Sequence, residues 1–374
     1  MAGQRRGVFR ELVSPFLKGK LNELENIYGV ESREYQGIAR QYLRSDLEDV
    51  IDATRGRRRH YEAEIHCKEH GLNLKGVERL YRRTALLEPT TACMANCRWC
   101  LRGQYDIATL TPAEITAAME YFAKDQDLRE ILITGGDPFT VPPALEFVLN
   151  KIEEMVPNIE IVRIGTRMPT QDPGRVNDRL IESLQKKRRY RLEVGIHVCH
   201  PLEFWDESVV VIRKFIEMGI RIYNQHPLLK GVNDSAEVLI ALYDAMRHHN
   251  VEAHYLFHAI PMLGMDHHRT SLARGLQLIS RMDSGGQFSG RAKPHYTAMT
   301  DIGKIVLYEG SVLDRNEEDN MVLLKSGYRL EDRMRYNPSW EKPDSVEVDE
   351  NGFMNVWYPD GTDDLPSEIL SLQK

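Results

Sequence analysis

Three cysteines, Cys93, Cys97 and Cys100, fall within the eight residues CMANCRWC, out of five cysteines in a chain of 374 residues. At spacings of four and three, a loop wrapped around one point can turn all three thiolates toward it. A structural zinc site takes four ligands, usually as two separated pairs, and no second CxxC pair occurs in this chain. Three thiolates suit a [4Fe–4S] cluster better, because they leave one iron free to bind something other than protein. Cys67 and Cys199 stand apart and read as ordinary buried thiols.

Other residues with chemical potential recur at one structural position. Short apolar runs appear as TALLEPT, REILITGGD, IEIVRIGTR, RLEVGIHV, RIYNQHPLL and AHYLFHA. At or near their ends lie Cys93 to Cys100, Thr134-Gly-Gly-Asp137, Thr166 and Arg167, His197, Asn224 and Gln225, and His258. Amphipathic segments separate the runs. Thr111-Pro-Ala-Glu114 opens one as a capping box with proline at the first helical position, and Asp234-Ser-Ala-Glu237 reads as an aspartate version. Strand and helix alternating in this way predict βαβ units and a parallel sheet, whose chemistry sits at the carboxyl ends of the strands. Polar groups that mark one strand end after another predict a site there.

The flanking regions differ. Leu17, Leu21, Leu24 and Ile27 keep helical spacing and predict a helical N-terminal cap over residues 1–80. The strand–helix pattern covers 81–285. Beyond it, in 286–374, SGGQFSGRAKPHYTAMTDIGK reads as loop, KIVLYEG and NMVLLKS as antiparallel strands, and NVWYPDG as a last strand in an acidic, turn-rich tail. The expected fold is α/β: a partial (β/α)6 barrel with a helical cap and a β-containing extension.

Composition limits the partners. The net charge of -7 gives no global attraction to nucleic acid, and the basic run RGRRRH at 55–60 is local. No stretch approaches 18 apolar residues, which excludes a membrane span, and MAGQRRGVFRELV lacks the apolar core of a signal peptide. A cytoplasmic protein with neither nucleic-acid nor membrane partners is expected.

With these motifs in hand, the chain resembles the radical S-adenosylmethionine superfamily, in which CxxxCxxC follows the first strand and a glycine-rich segment such as TGGDP follows the second. IVRIGTRMPTQDPGRV, IHVCHPLE, NQHPLLKGVND and GMDHHRTSLARGLQLI are similar to segments of its lysine 2,3-aminomutase family, from about residue 75 to 335. The resemblance implies that Cys93, Cys97 and Cys100 hold the cluster. Gly135, Gly136 and Asp137 would meet the methionine moiety of S-adenosylmethionine, with Trp99 near its adenine and His197 and Gln225 on the same surface. It further implies pyridoxal 5′-phosphate on Lys304, near Tyr81, and a substrate α-carboxylate paired with Arg102. The reaction implied is a 1,2-amino shift that converts an α-amino acid to a β-amino acid by way of a 5′-deoxyadenosyl radical. An electron donor such as flavodoxin or ferredoxin would be needed, and self-association is left open.

The chain also departs from the family. The glycine run before the lysine is reduced to Gly303, and a phosphate-site arginine falls on Thr84, with Arg82 and Arg83 adjacent. The two aspartates that hold a lysine side chain in the family are replaced by Ile260 and Thr297. A buried ammonium without a partner costs several kcal/mol, so the expected substrate is not lysine unless Asp301 or another carboxylate takes over. Two other readings stay open: radical chemistry with a different outcome on a small molecule or protein side chain, and a non-catalytic iron–sulfur or zinc module.

Overall fold

The computed structural model describes residues 10–49, 74–79, 81–100, 107–262, 264–286, 293–338 and 340–363. Two helices come first, α1 (Pro15–Tyr28) and α2 (Arg33–Tyr42). Ser14 and Ser32 cap them by accepting the Leu17 and Tyr35 N–H groups. Leu17, Leu21 and Leu24 turn inward as their spacing predicts, whereas Ile27 is 69% exposed, because the helix ends before its row meets the core. The buried faces of both helices pack with Val13, Ala95 and Cys97 in one small core. The cap therefore sits directly on the cysteine loop.

Among the described residues, nine strands form one sheet in chain order: β1 (Val77–Glu78), β2 (Thr84–Thr90), β3 (Glu130–Gly135), β4 (Ile161–Thr166), β5 (Arg191–Ile196), β6 (Arg221–Leu228), β7 (Glu252–His258), β8 (His295–Thr300) and β9 (Gly303–Val306). From β2 to β8 all neighbours are parallel, while β1 and β9 are antiparallel edges that do not pair with each other. The barrel is thus partial. Helices α3 (Pro112–Lys124), α4 (Pro142–Met155), α5 (Met168–Gln171), α6 (Asp178–Gln185), α7 (Asp206–Glu217), α8 (Ala236–His248) and α9 (Leu272–Asp283) fill the crossovers. Ala85, Leu87, Ile131, Ile133, Val162, Ile164 and Val194 belong to the main core shared with these helices. Their alternating neighbours Leu86, Leu132, Thr134, Arg163 and Gly165 line a cavity on the other face.

Two sequence expectations need correction. HYTAMT, read as loop, is β8, a seventh parallel strand that carries the sheet past residue 285. Its small residues and turn-rich flanks hide an alternation in which Tyr296 and Ala298 are buried against the core. The cap of α8 is Ser235, whose hydroxyl accepts the Val238 N–H, while Asp234 accepts the Gly231 N–H one turn earlier. Thr111 and Glu114 do form the reciprocal capping box.

A second, antiparallel sheet holds β10 (Val312–Asn316), β11 (Met321–Leu324), β12 (Val346–Val348) and β13 (Met354–Pro359) in the order β10-β11-β13-β12. It docks through Arg269, which donates to the Pro359 and Asp360 carbonyls at 2.6 and 3.0 Å. His258 completes the dock with a 2.9 Å bond to the Tyr358 hydroxyl. No helix among the described residues is long and apolar enough to cross a membrane.

Candidate active site

Cys93, Cys97, Cys100, Trp99, Gly135, Gly136, Asp137, His197, Gln225, Tyr81 and Lys304 all line one cavity of about 480 Å³. Arg102 lies outside the described residues. The segment 93–100 folds as it does because its other residues are pinned to the cap. Asn96 N–H donates to the Leu12 carbonyl at 2.8 Å, and Arg98 N–H donates to the Gln41 carbonyl at 2.9 Å. The fully buried Arg98 side chain pairs with Glu48. These anchors turn the three cysteines toward the cavity.

Burial pushes the Cys93 thiol well up, and Cys100, Asp137 and Cys97 add to the effect. Burial raises Cys97 too, partly offset by the Arg167 guanidinium. No group of three or more His, Cys, Asp or Glu among the described residues is arranged to hold a single metal ion. A [4Fe–4S] cluster asks for something else, one thiolate on each of three irons. The donor set of three cavity-facing thiols fits that group better than a mononuclear zinc.

The glycines are demanded by close backbone approach. Gly135 has φ +115°, and a Cβ there would sit 2.5 Å from the Thr90 carbonyl oxygen; at Gly136 it would sit 2.4 Å from the Ala92 oxygen. Their neighbourhood is locked by Gly136 N–H to Thr90 O at 2.7 Å and Asp137 N–H to Ala92 O at 2.8 Å. The Asp137 carboxylate is occupied within the protein. It accepts from the Arg167 N–H at 2.7 Å, the Phe139 N–H at 3.0 Å and the Thr166 hydroxyl at 2.8 Å. Its place is to tie the end of β3 to the end of β4, and burial raises its pKa despite these donors.

Trp99 and His197 stack with planes 5° apart and centroids at 6.1 Å, and His197 Nε2 lies 3.4 Å from the Gln225 amide. Burial and the nearby Arg167 push His197 down to about 3, so the ring is neutral. The buried Trp99 Nε1 has no hydrogen-bond partner among the described residues. Other strand-end polar groups turn out to be scaffold. Asn224 bridges both the N–H and the carbonyl of Val198, and both His258 nitrogens are held, by Tyr358 and by the Thr270 carbonyl.

At the other end of the cavity, Lys304 is the second residue of β9. Its N–H donates to the Tyr81 hydroxyl at 3.0 Å and its carbonyl accepts from the Tyr328 hydroxyl at 2.8 Å. The ammonium lies over the Tyr81 and Tyr255 rings, 5.7 and 5.4 Å from their centroids. Gly303, at φ +118°, is the position that Tyr81 and Tyr328 crowd. Arg82 pairs with Asp127 on the surface and Arg83 is exposed, so neither lines the cavity, whereas Thr84 and Arg163 do. Ile260 lines it with Met262 and Met265 packed behind. Thr297 is buried with its hydroxyl turned to the His295 carbonyl, and Asp301 accepts from Ser345 at 2.7 Å.

Sequence reasoning missed Arg163, Tyr255 and Tyr328, and gave Arg167 no role. Arg163 is a lone cation within the apolar run IVRIG, and Tyr255 alternates with Phe257 in AHYLFHA, so a two-residue period pointed to both. Nothing local marked Tyr328.

The part of the chain that builds most of this cavity resembles a radical SAM domain. Residues 87–242 match the Radical SAM superfamily model, and this stretch holds the thiols, the glycine cradle, His197 and Gln225. Beyond that, the chain is similar to proteins of the lysine 2,3-aminomutase family. An Aquifex aeolicus (strain VF5) protein whose name refers to L-lysine 2,3-aminomutase is 33% identical over 243 residues, which are 63% of this chain and 64% of that one. The L-lysine 2,3-aminomutase of Acetoanaerobium sticklandii is 29% identical over 66% of this chain and 64% of its own length. The glutamate 2,3-aminomutase of Clostridioides difficile (strain 630) is 28% identical over 73% of this chain and 67% of its own length. The matches thus span about two thirds of these relatives.

Proposed function

We propose that this protein is an isomerase that moves the amino group of an α-amino acid to the neighbouring carbon, using a [4Fe–4S] cluster, S-adenosylmethionine and pyridoxal phosphate. The observation that carries the reading is the single cavity with three thiols at one end and Lys304 at the other. Cys93, Cys97 and Cys100 would hold the cluster. Gly135 and Gly136 would offer backbone carbonyls to the amino group of S-adenosylmethionine, held in place by Asp137. Trp99, His197 and Gln225 would wall its nucleoside, with the unpartnered Trp99 Nε1 as a donor. Lys304 would carry pyridoxal phosphate between Tyr81 and Tyr255, with Arg163 as a cation lining the same cavity. Arg102 would bind the substrate carboxylate.

When bound, the reduced cluster and S-adenosylmethionine supply a carbon radical able to abstract hydrogen, and pyridoxal phosphate supplies an electron sink for the migrating nitrogen. The residues around them bind, orient and exclude water. A neutral His197 adds no charge beside the sulfonium, and the aromatic faces beside Lys304 hold its amine in place.

The preferred substrate is then an amino acid other than lysine. Ile260 presents hydrocarbon, Thr297 is turned away and Asp301 is engaged elsewhere, so a second ammonium finds no carboxylate at these positions. The outward direction of Arg82 and Arg83 favours a second reading, radical chemistry without pyridoxal phosphate. One experiment separates them. The chain is reconstituted anaerobically with iron, sulfide and pyridoxal phosphate, then screened with neutral, acidic and basic amino acids for β-isomers and 5′-deoxyadenosine. A β-isomer of a neutral or acidic amino acid, with pyridoxal absorbance lost in Lys304→Ala, supports the proposal. Lysine as the preferred substrate overturns the side-chain argument, and a cluster with no bound pyridoxal phosphate moves the assignment to the second reading.

A further inference from the structure

A buried polar knot joins the cap to the barrel at one cluster thiol. Arg167, just past β4 and 7% exposed, donates from Nη1 to Cys97 Sγ at 2.9 Å. Its Nη2 donates to Glu203 Oε1 at 2.6 Å and to Gln41 Oε1 at 2.9 Å. The guanidinium face lies over Tyr42 and Trp99, 5.1 and 5.4 Å from their centroids. Glu203, with no exposed surface, is itself fixed by the N–H groups of Cys199 and His200 at 2.7 and 2.9 Å. A second, neutral donor reaches the same sulfur, Gln171 Nε2 at 3.4 Å. A buried ion pair this well partnered can keep a full positive charge against the sulfur without leaving a charge uncompensated.

A thiolate that accepts a hydrogen bond from a cation gives less electron density to its iron. The reduced cluster, one electron richer, gains more from that contact than the oxidised one. We propose that Arg167, aimed by Glu203 and by Gln41 of the cap, is a positioning residue that raises the reduction potential of the cluster held by Cys93, Cys97 and Cys100. The N-terminal cap is then part of the radical-generating machinery. The proposal rests on the assignment of these thiols to a [4Fe–4S] cluster.

The test is a reductive titration of the anaerobically reconstituted full chain without S-adenosylmethionine, each cluster taking one electron from dithionite, followed by the paramagnetic signal of the reduced state. The double variant Arg167→Gln/Glu203→Gln removes both charges together and leaves neither unpaired. Its potential is expected to move negative relative to wild type at unchanged iron content and melting temperature. Gln171→Leu and Gln41→Leu are expected to move it the same way by less, and Arg167→Lys to restore part of the shift. Unchanged potentials in variants that hold a full cluster overturn the proposal. If the double variant loses iron, the two glutamine variants decide it in the same sense. A wild-type chain that takes up no cluster overturns the assignment of the thiols instead.

Discussion

The two ends of the cavity are built by opposite means. At the thiol end, three thiols come from eight consecutive residues, and their surroundings are a dense polar network of Arg167, Glu203, Gln41 and Gln171. At the lysine end, Tyr81, Tyr255, Lys304 and Tyr328 arrive from separate elements and meet largely through aromatic faces and backbone hydrogen bonds. The difference suits the proposed roles. A cluster would need fixed thiolates and a set field, whereas an amine carrying a planar group would need a slot and freedom at its tip. The thiol end should therefore control whether any radical forms, and the lysine end what becomes of it.

Losing one ligand breaks the comparison most deeply. Cys97→Ala is expected to reduce iron below the about four per chain of a full cluster and to abolish 5′-deoxyadenosine formation, measured by iron analysis and chromatography. Lys304→Ala is expected to keep cluster and S-adenosylmethionine cleavage while pyridoxal absorbance and β-isomer fall to background. Loss of both activities together would show that the two ends are not separable.

Acid acts on the scaffold that holds both ends. Burial holds His226 down at about 4 and His258 at about 3. Both stay neutral in the folded chain, while the unfolded chain takes up their protons below about 6.5. Stability is therefore full above that pH and is lost as it falls toward 4, by up to about 1.4 kcal/mol per pH unit for each imidazole. A melting temperature of the metal-free chain that stays flat over this range would contradict their burial.

Gly136→Ala forces a Cβ against the Ala92 carbonyl, at an expected cost of about 1–3 kcal/mol in denaturant melts and with weaker S-adenosylmethionine binding. Tyr81→Phe removes the acceptor for the Lys304 N–H, worth about 1 kcal/mol, and should alter pyridoxal retention while leaving deoxyadenosine formation intact.

The same contrast explains what was legible beforehand. CMANCRWC and TGGD are contiguous, so their chemistry could be read directly, and the alternating apolar runs announced the parallel sheet. Strand β8 was not legible, because HYTAMT is too short and polar to declare itself without β7 beside it. Asp137 lines the cavity, but that its carboxylate is held by Thr166, Phe139 and Arg167, partners up to 30 residues away, could not be read from the sequence. Arg82 and Arg83 were near enough in sequence to replace a phosphate-site arginine, but they precede β2 and lie exposed at the surface, Arg82 paired with Asp127.

The sequence by itself determined the thiol trio, the order of the first six parallel strands and their helices, and the exchange of two carboxylates for Ile260 and Thr297. These depend on residue type and local spacing, which the chain carries wherever it goes. The tertiary structure alone decided that Lys304 faces the same cavity as Cys97, that Tyr255 and Tyr328 flank it, and that Arg167 spends its charge on a thiol rather than on a substrate. Those outcomes depend on which faces the sheet presents inward and on contacts between segments 24 to 223 residues apart, which only the packed barrel brings together.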